Sequence, residues 1–228
     1  MSFKKFVSEL KKNERVEGEL IKTAFYSLIT SFIILGILYF AKFKSIESFM
    51  PRYGFFLFFA ALGYSLIVPA IRQVRAYGEM PCMSGMMVGM TTGMIAGFLP
   101  GFFIASTNGM FVGSAFGMGA GIFIGIWCGK QCGVMGFMEG MMAGFMGGLM
   151  GAMTSFMLYN DNLKPATIIV FLISAVILFS LNYMVYKEMQ EAAGSKKRDQ
   201  FSTVVLTFIL IVATTWLMVF GPRSGVFG

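Results

Sequence analysis

MPCMSGMMVGMTTGMIAGFLPG, residues 80–101, begins the stretch that decides the fold of this chain. Between residues 80 and 158 glycine recurs at every fourth position in three successive runs, and 16 of the 21 methionines fall in the same window. The runs comprise Gly85, Gly89, Gly93, Gly97 and Gly101, then Gly109, Gly113, Gly117, Gly121, Gly125, Gly129 and Gly133, then Gly136, Gly140, Gly144 and Gly148. Glycines at this spacing let transmembrane helices approach backbone to backbone, whereas in water each would destabilise its helix by about 1 kcal/mol relative to alanine. The pattern therefore predicts a core of closely packed membrane helices, a glycine zipper.

The composition of the whole chain also indicates a membrane protein. Of its 228 residues 57% are hydrophobic and 13% are charged, whereas about a quarter of the residues of soluble proteins are charged. Histidine is absent, which removes imidazole from every catalytic or metal-binding scheme. The net charge of +7 is divided among segments between hydrophobic stretches, so it does not indicate nucleic-acid binding. The sequence carries no phosphate-binding loop, no Ser/His/Asp arrangement and no paired carboxylates, and we expect a protein that is not an enzyme.

Apolar segments long enough to cross a bilayer, which takes about 20 residues, recur along the chain. They predict an all-α integral membrane protein with seven transmembrane helices, at residues 24–41, 54–71, 83–103, 108–127, 134–158, 165–186 and 201–220. The chain divides accordingly into a basic, amphipathic N-terminal segment (1–22), helices 1 and 2 (23–75), a Gly/Met-rich core of helices 3–5 (76–158) and helices 6 and 7 (159–228). Helices 1, 2, 6 and 7 are rich in Phe, Ile, Leu and Val, and we expect them to form a jacket around the glycine core.

The distribution of basic residues predicts the orientation in the membrane. With the N-terminus inside, 13 of the 18 lysines and arginines fall in cytoplasmic segments and five fall outside. Cytoplasmic segments of membrane proteins carry such an excess of Lys and Arg. The sequence thus predicts a multi-pass protein of the cell membrane, with the lipid bilayer as its first partner, a cytoplasmic N-terminus and an external C-terminus.

Sulfur-containing side chains form the candidate functional site. In this topology all three cysteines lie on the cytoplasmic side, and ladders of methionine lead away from them along helices 3 and 5. Thiolate and thioether groups are ligands that Cu(I) prefers. The candidate metal ligands are Cys82, Cys128, Cys132, Met80, Met83, Met86, Met90, Met94, Met135, Met138, Met142 and Glu139. The alternative is that methionine fills irregular gaps beside glycine and that the cysteines are small apolar residues.

Part of this pattern resembles a known family. Met-x-x-x-Met on one helix, as in Met86–Met90, together with Gly-x-x-x-Gly on others, is similar to the Ctr copper transporters, which are trimeric Cu(I) channels with three helices per chain. The likeness covers only short pieces of residues 83–151, and this chain differs in its seven helices and in cysteines that lie in loops. The resemblance implies shared Cu(I) chemistry without assigning the family.

Three functions follow from these patterns. The first is binding or transport of a soft metal cation, Cu(I) before others. The second is a non-catalytic membrane subunit or scaffold whose glycine zippers mediate helix packing and oligomerisation, and the third is a channel gated by sliding of the glycine seams. A transporter needs sulfur or polar groups along a continuous path. A scaffold instead predicts that the methionines of helix 5 face lipid or a partner and that Cys82 lies far from the other cysteines.

Overall fold

The computed structural model describes residues 16–41, 53–76, 81–130, 133–188 and 200–222. Within these residues the chain forms seven α-helices and no strand. They are α1 (Val16–Ala41), α2 (Phe55–Ala76), α3 (Cys82–Asn108), α4 (Met110–Gly129), α5 (Gly133–Met157), α6 (Leu163–Glu188) and α7 (Gln200–Phe220). Each predicted membrane segment overlaps one helix, although α1 begins eight residues earlier than predicted and α2 and α3 each end five residues later. This confirms the all-α prediction. Residues 1–15 of the N-terminal segment lie outside the described residues, and 16–22 begin α1.

Five of the helices are long and apolar enough to cross a membrane. The qualifying stretches are Leu20–Phe40, Phe55–Ala76, Cys82–Asn108, Met110–Gly129 and Leu163–Glu188. The apolar part of α7, Val204–Phe220, is shorter. Helix α5 does not qualify because seven of its 25 residues are glycine, which contributes little hydrophobicity. The protein is thus a multi-pass helical membrane protein, and the crossing of the bilayer by α5 and α7 stays a prediction.

Helix α2 occupies the centre of one half of the molecule. It packs against α1, α3, α6 and α7, and large side chains such as Tyr64 and Ile67 are almost completely buried there. The other half consists of α3, α4 and α5, which contact one another extensively and are called the trio below. Helix α3 belongs to both halves, because α6 and α7 also pack against it.

The predicted jacket around the glycine core is wrong. The four apolar helices pack on one another around α2 and reach the trio chiefly through α3. Helices α4 and α5 therefore keep exposed outer faces, with Phe111 and Met142 among the exposed side chains. The physical reason is that glycine faces bring three helices together so closely that the large side chains of α4 and α5 must point away from the shared seam.

The connection between α3 and α4 comes later in the chain than residues 104–107, where the predicted helix bounds place it. Residues 104–107 continue α3, and the hydroxyls of Ser106 and Thr107 donate to carbonyls one turn back. The turn is made at Gly109, whose φ of 113° is a conformation that side chains other than glycine rarely adopt. Just before it, Asn108 Nδ2 donates to the carbonyl oxygen of Leu217 at 2.7 Å and so ties this corner to α7.

Candidate functional site

Four layers of glycine lie between the helices of the trio. Each layer contains one glycine from each of the three helices, and the layers follow one another at intervals of four residues. They are Gly89/Gly129/Gly136, Gly93/Gly125/Gly140, Gly97/Gly121/Gly144 and Gly101/Gly117/Gly148. As the residue numbers rise along α3 they fall along α4 and rise along α5, so α4 runs antiparallel to the other two helices.

The contacts within these layers are between backbones. A Cβ placed on Gly93, Gly97 or Gly101 would lie 2.8 Å from the carbonyl oxygen of the facing α5 glycine, at position 140, 144 or 148. Real Cβ atoms essentially never come that close to another heavy atom. The atoms nearest to these glycines are therefore main-chain atoms of the facing helix.

Helix α5 has its small residues inside and its large residues outside. All nine of its buried residues are Gly, Ala or Ser. Its outer surface carries what we call the Met face, which consists of Met135, Met138, Met142, Met146, Met150, Met153 and Met157, all of them exposed. In water such a surface would leave a large apolar area unburied, whereas lipid or a partner helix would cover it without that cost.

The two cysteines that the structure describes lie apart. Cys82 is exposed at the start of α3, and Cys128 is buried on α4 with its thiol beside Thr92. Because Thr92 is ten residues further along α3 than Cys82, the two cysteines are separated by about 15 Å along the helix axis, at 1.5 Å per residue. They do not share a site. Cys132 and Met80 lie outside the described residues.

The remaining predicted ligands are on outward surfaces. Met86 and Glu139 are half-buried, and the exposed ones are Met83, Met90, Met94, Met135, Met138 and Met142. Across the ranges that the structure describes, no three Cys, Asp or Glu side chains come close enough to hold a metal ion. A soft-metal site thus stays a prediction.

Polar side chains that the sequence did not single out join the helices at the same end of the molecule as Cys82. Arg72 donates to the hydroxyl of Thr23 on α1, and the guanidinium of Arg75 lies 4.2 Å above the ring centre of Trp127 on α4. Gln73, which is completely buried, donates through Nε2 to the backbone carbonyl of Asn182 on α6 at 3.2 Å. The end of α2 thus anchors three neighbouring helices.

A groove opens on the surface formed by α1, α2 and α6. Its volume is about 520 Å³, its walls come from α1 and α6, and its floor is the surface of α2 around Pro69. Ser65 and Asn182 are the two polar residues along an otherwise apolar lining. A second cavity of about 410 Å³, bordered by Ser106, Asp161 and Lys164, lies near the turn between α5 and α6.

No known protein family, curated protein or solved structure matches this chain. Its function is therefore inferred from the arrangement of its own residues.

Proposed function

We propose that the protein is a non-catalytic structural subunit of the cell membrane that associates with a second copy of itself through the Met face of α5. In this proposal all seven helices cross the bilayer, the N-terminus is cytoplasmic and the C-terminus external. The excess of Lys and Arg in the segments assigned to the inside supports that orientation. The glycine layers act as a zipper that makes the trio a stiff unit.

The observation that supports the proposal most is that α5 buries small residues and exposes large ones. The glycines of its buried face, such as Gly140, Gly144 and Gly148, lie against α3 and α4, so the exposed large side chains on its other face can meet only lipid or another protein. Met138, Met142, Met146 and Met150 follow one another at four-residue intervals and form a ridge along the helix. Such ridges interdigitate when two helices cross, and methionine adapts its shape to the facing surface. A two-fold axis beside α5 would pair the same ridge from two copies.

Truncation of this ridge should weaken self-association. We expect the double substitution Met142→Ala and Met146→Ala to raise the dissociation constant of the dimer in liposomes at least tenfold, since roughly 1.4 kcal/mol of lost contact energy is enough for that change. Subunit counting by single-molecule photobleaching over a range of protein-to-lipid ratios measures the constant.

The matched control truncates a lipid-facing ridge on a different helix. Ile173 and Ile177 of α6 are also exposed, and their double substitution by alanine should leave the dissociation constant unchanged. A wild-type protein that is monomeric at every lipid dilution, or an equal effect of the two double substitutions, would contradict the proposal.

Binding of Cu(I) is a second candidate function. It is favoured by the exposed position of Cys82 and Met83 at the start of α3, where sulfur ligands are accessible to an ion. Titration of the reduced protein in detergent with Cu(I), against a competing chelator, should show stoichiometric binding that disappears when Cys82, Cys128 and Cys132 are all replaced by serine. Equal binding by both proteins would refute the cysteine site, and absence of binding by both would leave the methionines with a packing role.

A further inference from the structure

A charged cavity opens at one end of the molecule, beside the turn between α5 and α6. Its volume of about 410 Å³ lies within the range of pockets that hold small molecules. Its lining comes from the start of α2, the end of α3 and the segment around 159–165. The groove between α1 and α6 has no charged side chain in its lining, whereas this cavity has an acid and a base, Asp161 and Lys164. Both residues are exposed, so a ligand in the cavity can reach their charges.

These two opposite charges are available to a ligand. Asp161 and Lys164 are three residues apart, but among the described residues no ion pair joins them. The carboxylate of Asp161 accepts one hydrogen bond, which Asn162 Nδ2 donates to Oδ1 at 3.1 Å. Because an ionised carboxylate has acceptor sites on both of its oxygens, Asp161 keeps the capacity to bind a further donor.

The presence of both signs in one lining selects a ligand that also carries both. A simple anion would be attracted by Lys164 and repelled by Asp161, and a simple cation would meet the reverse. A zwitterion avoids this conflict because it can place its anionic group beside Lys164 and its cationic group beside Asp161. A primary ammonium suits the carboxylate best, since it donates charge-assisted hydrogen bonds, whereas a quaternary ammonium has no N–H to donate.

The cavity lies at the level of lipid headgroups. Helix α5 ends at Met157 and α6 begins at Leu163, so the charged segment lies at a helix end, and α6 is long and apolar enough to cross a membrane. Charged side chains at the ends of such helices lie in the headgroup region. Phe56, Leu163 and Pro165 add apolar surface to the same lining, which suits the glycerol part of a lipid.

We propose that the cavity binds a zwitterion made of a phosphodiester and a primary ammonium, which is the headgroup of phosphatidylethanolamine. The ammonium of the ligand donates hydrogen bonds to the carboxylate of Asp161, and the phosphodiester lies beside the side-chain ammonium of Lys164. This binding is independent of self-association through the Met face, because no residue of that face lines the cavity.

Native mass spectrometry of the full chain in an uncharged polyoxyethylene detergent tests this site with dioleoyl lipids. One molecule of phosphatidylethanolamine should bind about tenfold more tightly than phosphatidylcholine, which has no N–H, or phosphatidylglycerol, which has no cation. A hydrogen bond to a charged group contributes enough for that change. Water-soluble glycerophosphoethanolamine distinguishes the sources of the headgroup: weaker binding than that of the lipid identifies the membrane as the source, and equal binding identifies a free ligand.

Variants of single exposed charges connect the preference to the cavity. Lys164→Gln should weaken the binding of phosphatidylethanolamine about tenfold, and Asp161→Asn should remove most of its preference over phosphatidylcholine. Lys187→Gln, the matched control, removes an exposed charge at the other end of α6 and should leave binding unchanged. Equal binding of phosphatidylethanolamine and phosphatidylcholine, absence of binding by every lipid, or equal effects of the two lysine substitutions would overturn the proposal.

Discussion

Replacement of Gly121 by alanine should destabilise the protein by about 1–3 kcal/mol, the usual cost of adding carbon atoms to a full interior. The new methyl group would lie 2.8 Å from the carbonyl oxygen of Gly144 and 2.8 Å from Cα of Gly97. Both neighbours are main-chain atoms, so the added group can be accommodated only if whole helices move apart. The free energy of unfolding in mixed micelles, measured as the fraction of SDS increases, reports the change.

The control for this substitution lies two residues away on the same helix. A Cβ on Gly119 would meet nothing within 4 Å, and alanine is favoured over glycine in a helix by about 0.5–1 kcal/mol. Gly119→Ala should therefore leave stability unchanged or raise it. If the two substitutions shift the free energy of unfolding by the same amount, backbone contact across the glycine layers does not stabilise the trio.

Lysine in place of Met142 should strongly impair the insertion of α5 into the membrane. Met142 lies near the middle of α5 and is half exposed on its outer face. A charged residue at the centre of a transmembrane helix costs about 2.5–3.5 kcal/mol on insertion scales. Reporter fusions placed after residue 158 should show a large fraction of Met142→Lys molecules with the wrong orientation of the following segment.

Position 157 provides the comparison for this second substitution. Met157 ends α5 and is also exposed, but a lysine there can extend its ammonium group to the headgroups, so its cost is much smaller. Met157→Lys should keep the native orientation. Tolerance of lysine at both positions would mean that α5 lies outside the hydrocarbon, and the proposal of seven membrane crossings would have to be abandoned.

The helices themselves were predictable from the sequence because their signal is local. Apolar segments in the sequence predict the positions of all seven helices, five of which are long and apolar enough to cross a membrane. The glycines that recur every four residues on α3, α4 and α5 lie against one another in the structure. The period does not say which glycine meets which, because that depends on the single-residue turn at Gly109 and on the antiparallel course of α4. Nor does composition show which helix is central: α2 is as rich in aromatic residues as its neighbours, yet it is the one that the others cover.

The candidate site was predictable only in part, since the spacing of residues on one helix shows which of them share a face but not how deep they lie or which residues of other helices they meet. In the sequence the methionines of α5 fall about 200° from the glycine stripe, and in the structure they do point away from it. In the proposed topology all three cysteines lie on the cytoplasmic side. The topology does not show, however, that Cys82 and Cys128 differ in depth by the length of ten residues of α3. Gln73 and Asn182 stand 109 residues apart in the chain, and no sequence pattern connects them.

The glycine layers also determine how the protein can change by mutation. Glycine has the smallest side chain, so every substitution at the twelve positions in the four layers adds atoms where main chains already touch. Almost every single substitution at these glycines should therefore lower the stability of the protein. Exposed methionines outside the Met face, such as Met90 and Met94 on α3, can change more freely, since leucine, isoleucine or phenylalanine would be equally acceptable to lipid. New properties of this molecule would thus arise on its outward faces, while its interior stays fixed.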